Sequence, residues 1–597
     1  MAPKKSSLQL TDTANKILEA RYLRVFRPQD SRETPADLFA RVARAVAQAE
    51  LIAGNTKQAA RYEEIFLGMM LSLDFLPNSP TLMNAGTHLG QLSACFVLPV
   101  EDTIEDIFGA LKNMAIIQRS GGGTGFSFSR LRPKGDFLSS TGGQSSGPVS
   151  FMRIFDCATS HIKQGGKRRG ANLGSLRVDH PDIMDFITAK TDDLDFENFN
   201  LSVVVTDAFM NAVIQNHEYN LIHPRNQTTV GTLKSRDVFN AIAHAAWQTG
   251  DPGLIFYDAV NNANPTPQLG SIETTNPCGE IPLLPYESCN LGSINLAHMV
   301  RGEKGKCTID WDKLLSTTQN AVRFLDDVLE VSKFPIQQVA QTTRNTRKIG
   351  LGLMGFAEML IQLGISYNSE KAVEIAGQVM KAIQQEAHRT STILAEERGV
   401  YSAWKGSFHE KSGLKMRNAT CTAVAPTGTI SLIAGTSAGI EPLFALAYRR
   451  SPVLGNQSFF EYNPLFRKFM EIHNLDTRYL TKKVLEKGRL TDIDEVPEHI
   501  KALFVTALEI PFKQHLKIQA AFQKHVDNSV SKTINIPGDA TPEDVAQAYL
   551  QAWKYGLKGA TIYRYGSKKN QILELGAGEK PYQYDSPAQC DPGECEI

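Results

Sequence analysis

The 597-residue chain lacks long hydrophobic runs and a net charge. No stretch of about 18 consecutive apolar residues occurs, so a membrane-spanning helix is not expected. Its 63 basic and 63 acidic side chains cancel at pH 7, which removes a general electrostatic reason for binding nucleic acid. Lys4 and Lys5 are not followed by the apolar segment that a secretory signal requires. We therefore expect a cytoplasmic protein that contacts neither membrane nor nucleic acid.

The C-x-x-C spacing of cysteines is also lacking. A structural zinc site usually draws its ligands from such pairs, and no C-x-x-C occurs among the eight cysteines. Eight cysteines in a long chain without an export signal indicate reduced or transiently oxidised thiols rather than a disulfide scaffold. We expect no protein-bound metal ion, and we expect Cys157, Cys307 and Cys421 to be structural.

The most informative segment that is present reads N-P-C-G-E, at residues 276–280. Pro277 and Gly279 favour a tight turn, which places the Cys278 thiol between the Asn276 amide and the Glu280 carboxylate. A lone cysteine is more often a small buried hydrophobe, but these neighbours fit an exposed turn better than a packed strand. With a second thiol a short distance downstream, the segment is typical of a redox-active site.

Apolar periodicity predicts a helical N-terminal region, residues 1–76, and then an α/β region, residues 77–567. In the second region, short apolar strands alternate with long helices, as an α/β architecture requires. The predicted strands lie at 201–205, 254–257, 420–424 and 529–534, and a long predicted helix lies at 373–398. Residues 568–597, with several Pro and Gly, are predicted to form a flexible C-terminal tail.

Six motifs spread along the chain share small, hydroxyl-bearing or cysteine residues. They lie at 77–86, 92–99, 120–127, 164–172, 276–296 and 425–431. In this order they resemble the ribonucleotide reductases, and within that family the adenosylcobalamin-dependent class. The resemblance covers essentially the whole chain. It implies a ten-stranded α/β barrel with Cys278 on a central finger loop, and an enzyme that converts ribonucleotides to 2'-deoxyribonucleotides for DNA synthesis and repair.

The resemblance also implies a role for each reactive group. Cys278 would carry a thiyl radical that abstracts the 3'-hydrogen of the ribose. Glu280 would accept the proton of the 3'-hydroxyl group as a general base, and Asn276 would orient the ribose hydroxyls. Cys95 and Cys289 would supply two electrons by closing to a disulfide. These two cysteines are far apart in the sequence, so their partnership rests on the resemblance alone.

Two further thiols, Cys590 and Cys595, flank a Pro-Gly turn near the C-terminus. The turn brings them together, and two cysteines are too few for a closed zinc site. We interpret them as a redox shuttle that carries reducing equivalents from a thioredoxin-like reductant to the buried pair.

A candidate phosphate site lies at 426–430, where small residues with hydroxyls and amides follow an apolar strand. The resemblance assigns the substrate phosphates to it and adds residues from three other motifs. The candidate substrate-binding residues are Ser79, Ala94, Cys95, Gly123, Asn276, Pro277, Cys278, Gly279, Glu280, Pro426, Thr427, Gly428, Thr429 and Ile430.

Two Gly-rich loops, 139–147 and 165–172, match loops that bind a deoxynucleotide effector at the interface of a homodimer. The candidate effector residues are Asp102, Arg132, Lys167, Arg168 and Arg169. Gly on both sides of 167–169 would let these cations fold over a nucleotide. A solvated surface patch is the alternative interpretation of the same three residues.

The radical source is indicated by Tyr563 and Tyr565, which Arg564 separates. The oxygen-dependent class passes its radical through two adjacent tyrosines, so the separated pair resembles the cobalamin class. Glu280 counts against the glycyl-radical class, which normally lacks this carboxylate. The D-x-H-x-x-G motif of many other cobalamin enzymes is absent. We expect adenosylcobalamin as cofactor, with its own lower ligand retained, and a ribonucleoside diphosphate rather than a triphosphate as substrate.

Two other functions stay open. The chain could be the catalytic subunit of an oxygen-dependent reductase that needs a separate radical-generating metalloprotein. It could instead be a catalytically silent nucleotide-binding relative, although such a protein has no physical need for the full set of cysteines. Dependence on adenosylcobalamin distinguishes the first alternative, and substrate-dependent oxidation of Cys95 and Cys289 distinguishes the second.

Overall fold

The computed structural model describes residues 8–25, 31–138, 142–164, 168–191, 196–302, 307–454, 457–472, 478–567 and 573–575. Contacts between residues divide the chain into two compact units. The first comprises residues 1–444 and 507–569, and the second comprises 445–506 and 570–597.

The elements are numbered in chain order. The α-helices are α1 (Asp12–Arg21), α2 (Pro35–Ile52), α3 (Thr56–Leu71), α4 (Ser79–Asn84), α5 (Ile104–Arg119), α6 (Gly147–His161), α7 (Ile183–Ile187), α8 (Asp207–Gln215), α9 (Ser235–Thr249), α10 (Tyr257–Asn262), α11 (Trp311–Val331), α12 (Gln337–Thr346), α13 (Phe356–Gln362), α14 (Glu370–Arg398), α15 (Phe408–Lys411), α16 (Ile430–Ala434), α17 (Pro464–Ile472), α18 (Arg478–Lys487), α19 (Glu498–Leu503), α20 (Phe512–Gln523) and α21 (Pro542–Lys554). The strands are β1 (Phe75–Pro77), β2 (Cys95–Pro99), β3 (Gly123–Ser127), β4 (Phe137–Leu138), β5 (Gly143–Gln144), β6 (Lys163–Gln164), β7 (Arg168–Arg169), β8 (Asn172–Arg177), β9 (Phe199–Val205), β10 (Glu218–Ile222), β11 (Thr229–Lys234), β12 (Gly253–Phe256), β13 (Thr274–Thr275), β14 (Pro282–Leu283), β15 (Ser288–Asn295), β16 (Val300–Arg301), β17 (Thr308–Ile309), β18 (Ile349–Met354), β19 (Ala447–Leu454), β20 (Gln457–Tyr462), β21 (Thr533–Ile536), β22 (Gly559–Arg564) and β23 (Leu573–Leu575).

Helices α1 to α3 lie within residues 1–76, the predicted N-terminal region. Helix α2 begins at a capping box, in which the Thr34 hydroxyl and the Asp37 carboxylate each accept a hydrogen bond from the other's backbone N–H. Its buried face carries Leu38, Val42 and Val46, at the spacing of one side of a helix. This face packs against α3 and α11, which joins the helical region to the rest of the unit.

A closed barrel occupies the centre of the first unit. Five strands, β2, β3, β8, β9 and β12, run parallel to one another. Strand β22 pairs antiparallel with β12 and parallel with β21, and β15 pairs antiparallel with β2 and parallel with β18. Residues 420–424 close the remaining gap, because Leu351 bridges to Thr422 and Val424 bridges to Val530. The barrel therefore has ten strand positions in two parallel sets of five, which confirms the predicted fold class.

The core of this unit includes a layer between the barrel strands and the surrounding helices. Phe126 on β3, Phe155 on α6 and Phe199 on β9 are fully buried there, and Phe126 meets Phe155 edge to face with ring centroids 5.1 Å apart. Aromatic side chains in this arrangement remove a large apolar area from water. This packing stabilises the strands whose opposite faces line the barrel interior.

The predicted elements agree with the structure except at their ends. The segments 201–205 and 254–257 fall on β9 and β12, and 373–398 lies inside α14. The segment 420–424 holds a barrel position, but its pairing is limited to the isolated bridge at Thr422 and the one at Val424. The predicted strand at 529–534 begins as a strand only at Thr533.

Residues 445–506 of the second unit lie within the range 77–567 that is predicted for the barrel region. Its described part contains a three-stranded antiparallel sheet in the order β20-β19-β23, together with helices α17, α18 and α19. Strand β23 belongs to the predicted tail, most of which lies outside the described residues. Among the helices that the structure describes, none has the length and apolarity needed to span a membrane.

Candidate active site

The N-P-C-G-E segment forms the tip of a short β-hairpin. Strands β13 and β14 pair antiparallel, with Thr275 opposite Pro282. Asn276 closes the tip, because its backbone carbonyl accepts from the Gly279 N–H at 3.0 Å and its side-chain oxygen accepts from the Ile281 N–H at 3.0 Å. Gly279 has a φ of +80°, which a residue with a Cβ rarely adopts. The local sequence thus explains the turn that presents Cys278.

Hydrogen bonds from both sets of barrel strands hold this hairpin across the barrel interior. On one side, the Ser175 hydroxyl of β8 lies 2.9 Å from the Thr274 hydroxyl, and the Asn200 amide of β9 donates to the Pro277 carbonyl at 2.9 Å. From the other set, the Ser529 N–H donates to the Glu280 carbonyl at 2.9 Å. A segment bonded to opposite walls must lie between them, as the predicted finger loop does.

Glycines on β3 let the hairpin approach the barrel wall. A Cβ on Gly125 would stand 1.8 Å from the Thr275 carbonyl oxygen, and a Cβ on Gly123 would stand 3.0 Å from the Pro277 ring. The first contact is far inside van der Waals distance and involves backbone, so it cannot be relieved by a side-chain rotation. Within the Gly-rich motif at 120–127, Gly125 is therefore required by close packing against the hairpin.

Cys95 and Cys289 are direct neighbours across the antiparallel pair of β2 and β15. Directly opposed residues in such a pair have Cα atoms about 4.5 or 5.5 Å apart, within the range that a disulfide can join. Both thiols are buried, and they share an apolar cluster with Ile281 and Leu283 of the hairpin region. The tertiary structure thus brings together two cysteines whose pairing the sequence could not reveal.

The hairpin also contacts this cysteine pair. The Asn276 side-chain amide donates to the Cys95 sulfur at 3.1 Å, and the Cys95 thiol lies 3.9 Å from Glu280 Oε1. Cys278, in contrast, is exposed. The predicted catalytic residues therefore form one cluster, with two buried thiols behind the hairpin and one accessible thiol at its tip.

Burial dominates the proton affinities of the cluster. It raises the pKa of Glu280 to about 7, an effect that the Asn276 amide and the Cys95 thiol only partly offset. Glu280 Oε2 has no hydrogen-bond partner within the part of the chain that the structure describes. Burial also raises the pKa values of the Cys95 and Cys289 thiols, and the Glu280 carboxylate raises both further. Near neutral pH the two thiols are therefore protonated, and Glu280 can either hold or accept a proton.

The predicted phosphate-binding residues come from several elements. Thr427 has a φ of +54°, and its hydroxyl accepts from the Gly439 N–H at 2.8 Å, just before the short helix α16 begins. Ser79 begins α4, where its hydroxyl lies 2.7 Å from the Tyr22 hydroxyl. Helix α16 packs against α1 and β1, and α4 directly follows β1, so these segments converge. The Gly123 N–H donates to the Ala94 carbonyl at 2.8 Å beside the hairpin.

The predicted effector residues are only partly described. Asp102 and Arg132 bind each other, with Oδ2 and Nε 2.8 Å apart. Arg168 and Arg169 form β7, which pairs with β6 in a two-residue ladder. Lys167, the loop residues 139–141 and both tail cysteines, Cys590 and Cys595, lie outside the described residues.

Sequence reasoning missed two polar groups. One is a buried ion pair between Glu287 and Lys348, whose sequence signal is a carboxylate two residues before Cys289. The other is a cluster in which His388 Nε2 lies 2.9 Å from an Asp527 oxygen, while Asp527 also accepts from the Cys421 N–H at 2.8 Å. Asp527 thus fixes the irregular barrel segment 420–424, and no local pattern indicated this.

Comparisons with known proteins give the same family along the chain. The family model described as ribonucleotide reductase, all-alpha domain matches residues 8–90, and the model described as ribonucleotide reductase, barrel domain matches residues 93–416 and 410–563. The chain is 49% identical to the vitamin B12-dependent ribonucleoside-diphosphate reductase of Thermoplasma acidophilum, over 96% of this chain and 81% of that protein. It is 48% identical to the protein of the same name from Mycobacterium tuberculosis, over 96% and 80%.

A solved structure has a similar fold. The Actinobacillus ureae class Id ribonucleotide reductase alpha subunit superposes with a TM-score of 0.77, at 23% identity, over 95% of this chain and 99% of that one. At this identity the likeness bears on the fold alone.

Proposed function

Because the chain belongs to the ribonucleotide reductase family, we propose that it reduces ribonucleoside diphosphates to 2'-deoxyribonucleoside diphosphates with adenosylcobalamin as cofactor. The observation that carries this proposal is the placement of an accessible thiol, Cys278, beside a buried carboxylate and a buried cross-strand dithiol. The names of the relatives, which specify vitamin B12, favour this function over the oxygen-dependent alternative. The presence of Cys95, Cys278 and Cys289 together disfavours a catalytically silent nucleotide-binding protein, which would not need all three thiols.

The dithiol supplies the reducing equivalents. One ribonucleotide and two thiols give one deoxyribonucleotide, one water molecule and one disulfide, so that atoms and electrons balance. Cys95 and Cys289 are directly opposed on paired antiparallel strands, and residues in such positions lie at a separation that a disulfide can join. Closing the disulfide delivers both electrons to the substrate from one place.

Cys278 and Glu280 act on the ribose ring. Cys278 removes the 3'-hydrogen atom and later returns it, and Glu280 takes the proton of the 3'-hydroxyl group. A general base is most effective when its pKa is close to the working pH, and the pKa of Glu280 is about 7. Asn276 orients the ribose hydroxyls from the same turn.

The surroundings of Cys278 fit the cofactor. Cys278 is exposed, and a Cβ added to the adjacent Gly279 would meet nothing within 4 Å, so there is open space at the hairpin tip. When bound, adenosylcobalamin supplies an organic radical by homolysis of its cobalt–carbon bond. Cys278 is the residue that would receive it, since the other two active-site thiols are buried.

The effector proposal gains support from an exposed apolar surface on α5 and α6, which contact each other. Ile104 and Phe108 of α5 are 57% and 47% exposed, and Ile154 of α6 is 38% exposed. Apolar patches of this kind mark interfaces, and a homodimer would cover the patch near Asp102 and Arg132. A deoxynucleotide effector at this interface, the thioredoxin-like reductant and the cytoplasmic location stay predictions.

Turnover by a Cys278→Ser variant tests the proposal most directly. The wild-type protein, supplied with adenosylcobalamin, dithiothreitol and a ribonucleoside diphosphate, is expected to form the deoxynucleotide, and Cys278→Ser is expected to form none because serine cannot carry the radical. Cys307→Ser is the matched control and should retain activity, since Cys307 has no part in the cluster.

Two results would contradict the proposal. Activity that survived in Cys278→Ser would remove the assigned role of Cys278. Turnover that ignored adenosylcobalamin and required an added metalloprotein would establish the oxygen-dependent alternative.

A further inference from the structure

Glu287, two residues before Cys289 in the sequence, forms a buried ion pair with Lys348. The two side chains are 0% and 1% exposed, and Glu287 Oε2 is 2.9 Å from Lys348 Nζ. Glu287 also accepts hydrogen bonds from the Thr346 hydroxyl and from the Leu284 N–H, the latter at 2.8 Å. Desolvation of two charges offsets most of their attraction, so a buried pair is a weak source of stability. Stability alone is therefore a poor reason for placing the pair here.

The pair and the Cys289 thiol share one side of the barrel sheet. Glu287 extends the ladder between β15 and β2, because the Val97 N–H donates to the Glu287 carbonyl at 3.1 Å. Side chains alternate along a strand, so residues 287 and 289 point to the same face. Lys348 directly precedes β18, the parallel neighbour of β15, in which Ile349 is opposite Asn290. Glu287 is therefore the next residue on this face along the same strand as Cys289, and Lys348 continues the register of the neighbouring strand at the level of Cys289.

Among the residues that the structure describes, few other charged or titratable groups face Cys289. They are the Cys95 thiol across the ladder, Glu280 of the hairpin, and the two members of the ion pair. Burial raises the pKa of Cys289, Glu287 raises it further, Lys348 lowers it, and Glu280 adds a smaller rise. The apolar cluster around the sulfur screens these charges weakly, so each acts strongly.

We propose that the Glu287–Lys348 ion pair controls the protonation of Cys289, with the carboxylate favouring the thiol and the ammonium group favouring the thiolate. The two are positioning residues, since they act through Cys289. The inference rests on the proposed function of Cys95 and Cys289 as the reducing pair.

The need for such control lies in the redox cycle. Each thiol loses one hydrogen when the disulfide forms. When an external dithiol re-reduces it, the sulfur–sulfur bond breaks in two exchanges, each departing sulfur keeps the electron pair as a thiolate, and each thiolate takes up a proton, while the dithiol becomes a disulfide. A fixed charge pair beside one sulfur holds that sulfur as a thiol, ready for the next substrate, without preventing its departure as a thiolate.

The midpoint potential of the Cys95–Cys289 couple as a function of pH tests the inference. The full-length protein with Cys590→Ser and Cys595→Ser is equilibrated in dithiothreitol redox buffers between about pH 7 and about pH 11, a range that extends above ordinary thiol pKa values because burial raises the pKa of both thiols. The fraction of Cys95–Cys289 disulfide is then read by alkylation and mass spectrometry. The potential falls with pH, and its slope becomes shallower at the pH where a thiol ionises.

The pH at which the slope of the midpoint potential changes is called the break. The two charge variants are expected to move the break in opposite directions. Glu287→Gln should move it to lower pH by about one unit, and Lys348→Met should move it to higher pH by about as much, as expected for loss of one close charge. Thr346→Val is the matched control, because it removes a hydrogen bond to Glu287 without changing a charge, and it should leave the break in place. Loosened packing alone would shift both variants the same way.

Shifts of equal sign, or no shift in either variant, would overturn the inference. Each variant tests the sign on its own, so the failure of one to fold leaves the other as a test. The outcome is separable from the proposed function. If substrate turnover failed to oxidise Cys95 and Cys289 in the wild-type protein, the proposed function would fail, whereas the pH breaks of the chemically oxidised couple would still report on the ion pair.

Discussion

Two fully buried carboxylates, Glu280 in the barrel and Asp326 on α11, have opposite surroundings. Asp326 lies within 2.7 Å of Arg347, 3.1 Å of Arg398 and 3.6 Å of Arg417. Burial by itself would raise the pKa of Asp326, but the three guanidinium charges lower it to about 2. Glu280 has no cation at ion-pair distance within the described residues, and burial raises its pKa to about 7.

The difference separates a structural carboxylate from a reactive one. Asp326 joins α11 to two other elements. Arg398 is the last residue of α14, and Arg347 lies between the end of α12 and the start of β18. A carboxylate held by several arginines stays ionised and cannot exchange protons near neutral pH. Glu280 is kept without such partners, at a cost in folding stability, and in return it can change protonation during turnover.

Glu280→Gln should lower the turnover rate about 10²- to 10⁴-fold, the usual contribution of a general base. The glutamine keeps the shape of the side chain but cannot accept the proton. In the wild-type protein, kcat/KM should rise as the pH increases through about 7, where Glu280 loses its proton, and this limb should be missing from the variant. A steady-state pH profile measures both effects. A variant that kept the limb would show that another group is the base.

Asp326→Asn should instead destabilise the fold, by about 3–5 kcal/mol, because it leaves the surrounding arginine charges buried without their partner. Urea denaturation measures the loss, and the variant that remains folded should keep its kcat. The pKa of Asp326 is lowered on folding, so its contribution to wild-type stability is present above the pKa of the unfolded chain and is lost as the pH falls through about 2. A folded variant with a strongly reduced kcat would break the contrast with Glu280.

Glu280→Gln should also make the protein more stable in alkaline solution. The pKa of Glu280 is raised on folding, so its favourable contribution is fully present below the unfolded value of 4.5 and is lost as the pH rises through about 7. The variant removes this loss, which corresponds to about 3 kcal/mol for a rise of this size. The urea midpoint of the variant should therefore exceed that of the wild-type protein at about pH 8.5 but not at about pH 5. A pKa rise of this size is within the range seen for buried carboxyl groups. An equal loss at both pH values would mean that the amide packs poorly.

Glu374→Gln should have the smallest effect. Glu374 is an exposed residue of α14 whose pKa is lowered by hydrogen bonding to Lys371, at 2.8 Å, and by its charge. Exposed pairs of this type contribute little because water and salt screen them. We expect no measurable change in Tm or in turnover. A clear loss of either would show that burial does not explain the different roles of Glu280, Asp326 and Glu374.

The candidate site was predictable where its residues are adjacent in sequence. Asn276, Cys278 and Glu280 belong to one turn, whose shape depends on Pro277 and Gly279, so a single segment carried both the geometry and the chemistry. The partnership of Cys95 and Cys289 was only implied by a family resemblance, because it depends on the register between β2 and β15. Asp527 and Lys348 gave no signal, since an isolated charged residue is usually a surface residue in sequence-based interpretation.

Fold prediction followed the same division. Strands with strong apolar patterns, such as β9 and β12, were located to within a residue or two, because each carries its own signal. The segment 420–424 pairs through isolated bridges, and the second unit at 445–506 lies in the sequence between two segments of the first unit. Both depend on contacts between distant parts of the chain, and a short stretch of sequence carries no information about such contacts.

The chemical groups that are present, the place of the tight turn and the strands that can form follow from side-chain identity and from backbone preferences over a few residues. The protonation of those groups depends on how the chain folds around them. Burial without a cation raises the pKa of Glu280, burial among arginines lowers that of Asp326, and strand register sets one thiol against another. Dielectric environment and distance are properties of the folded chain, and residue identity alone does not contain them.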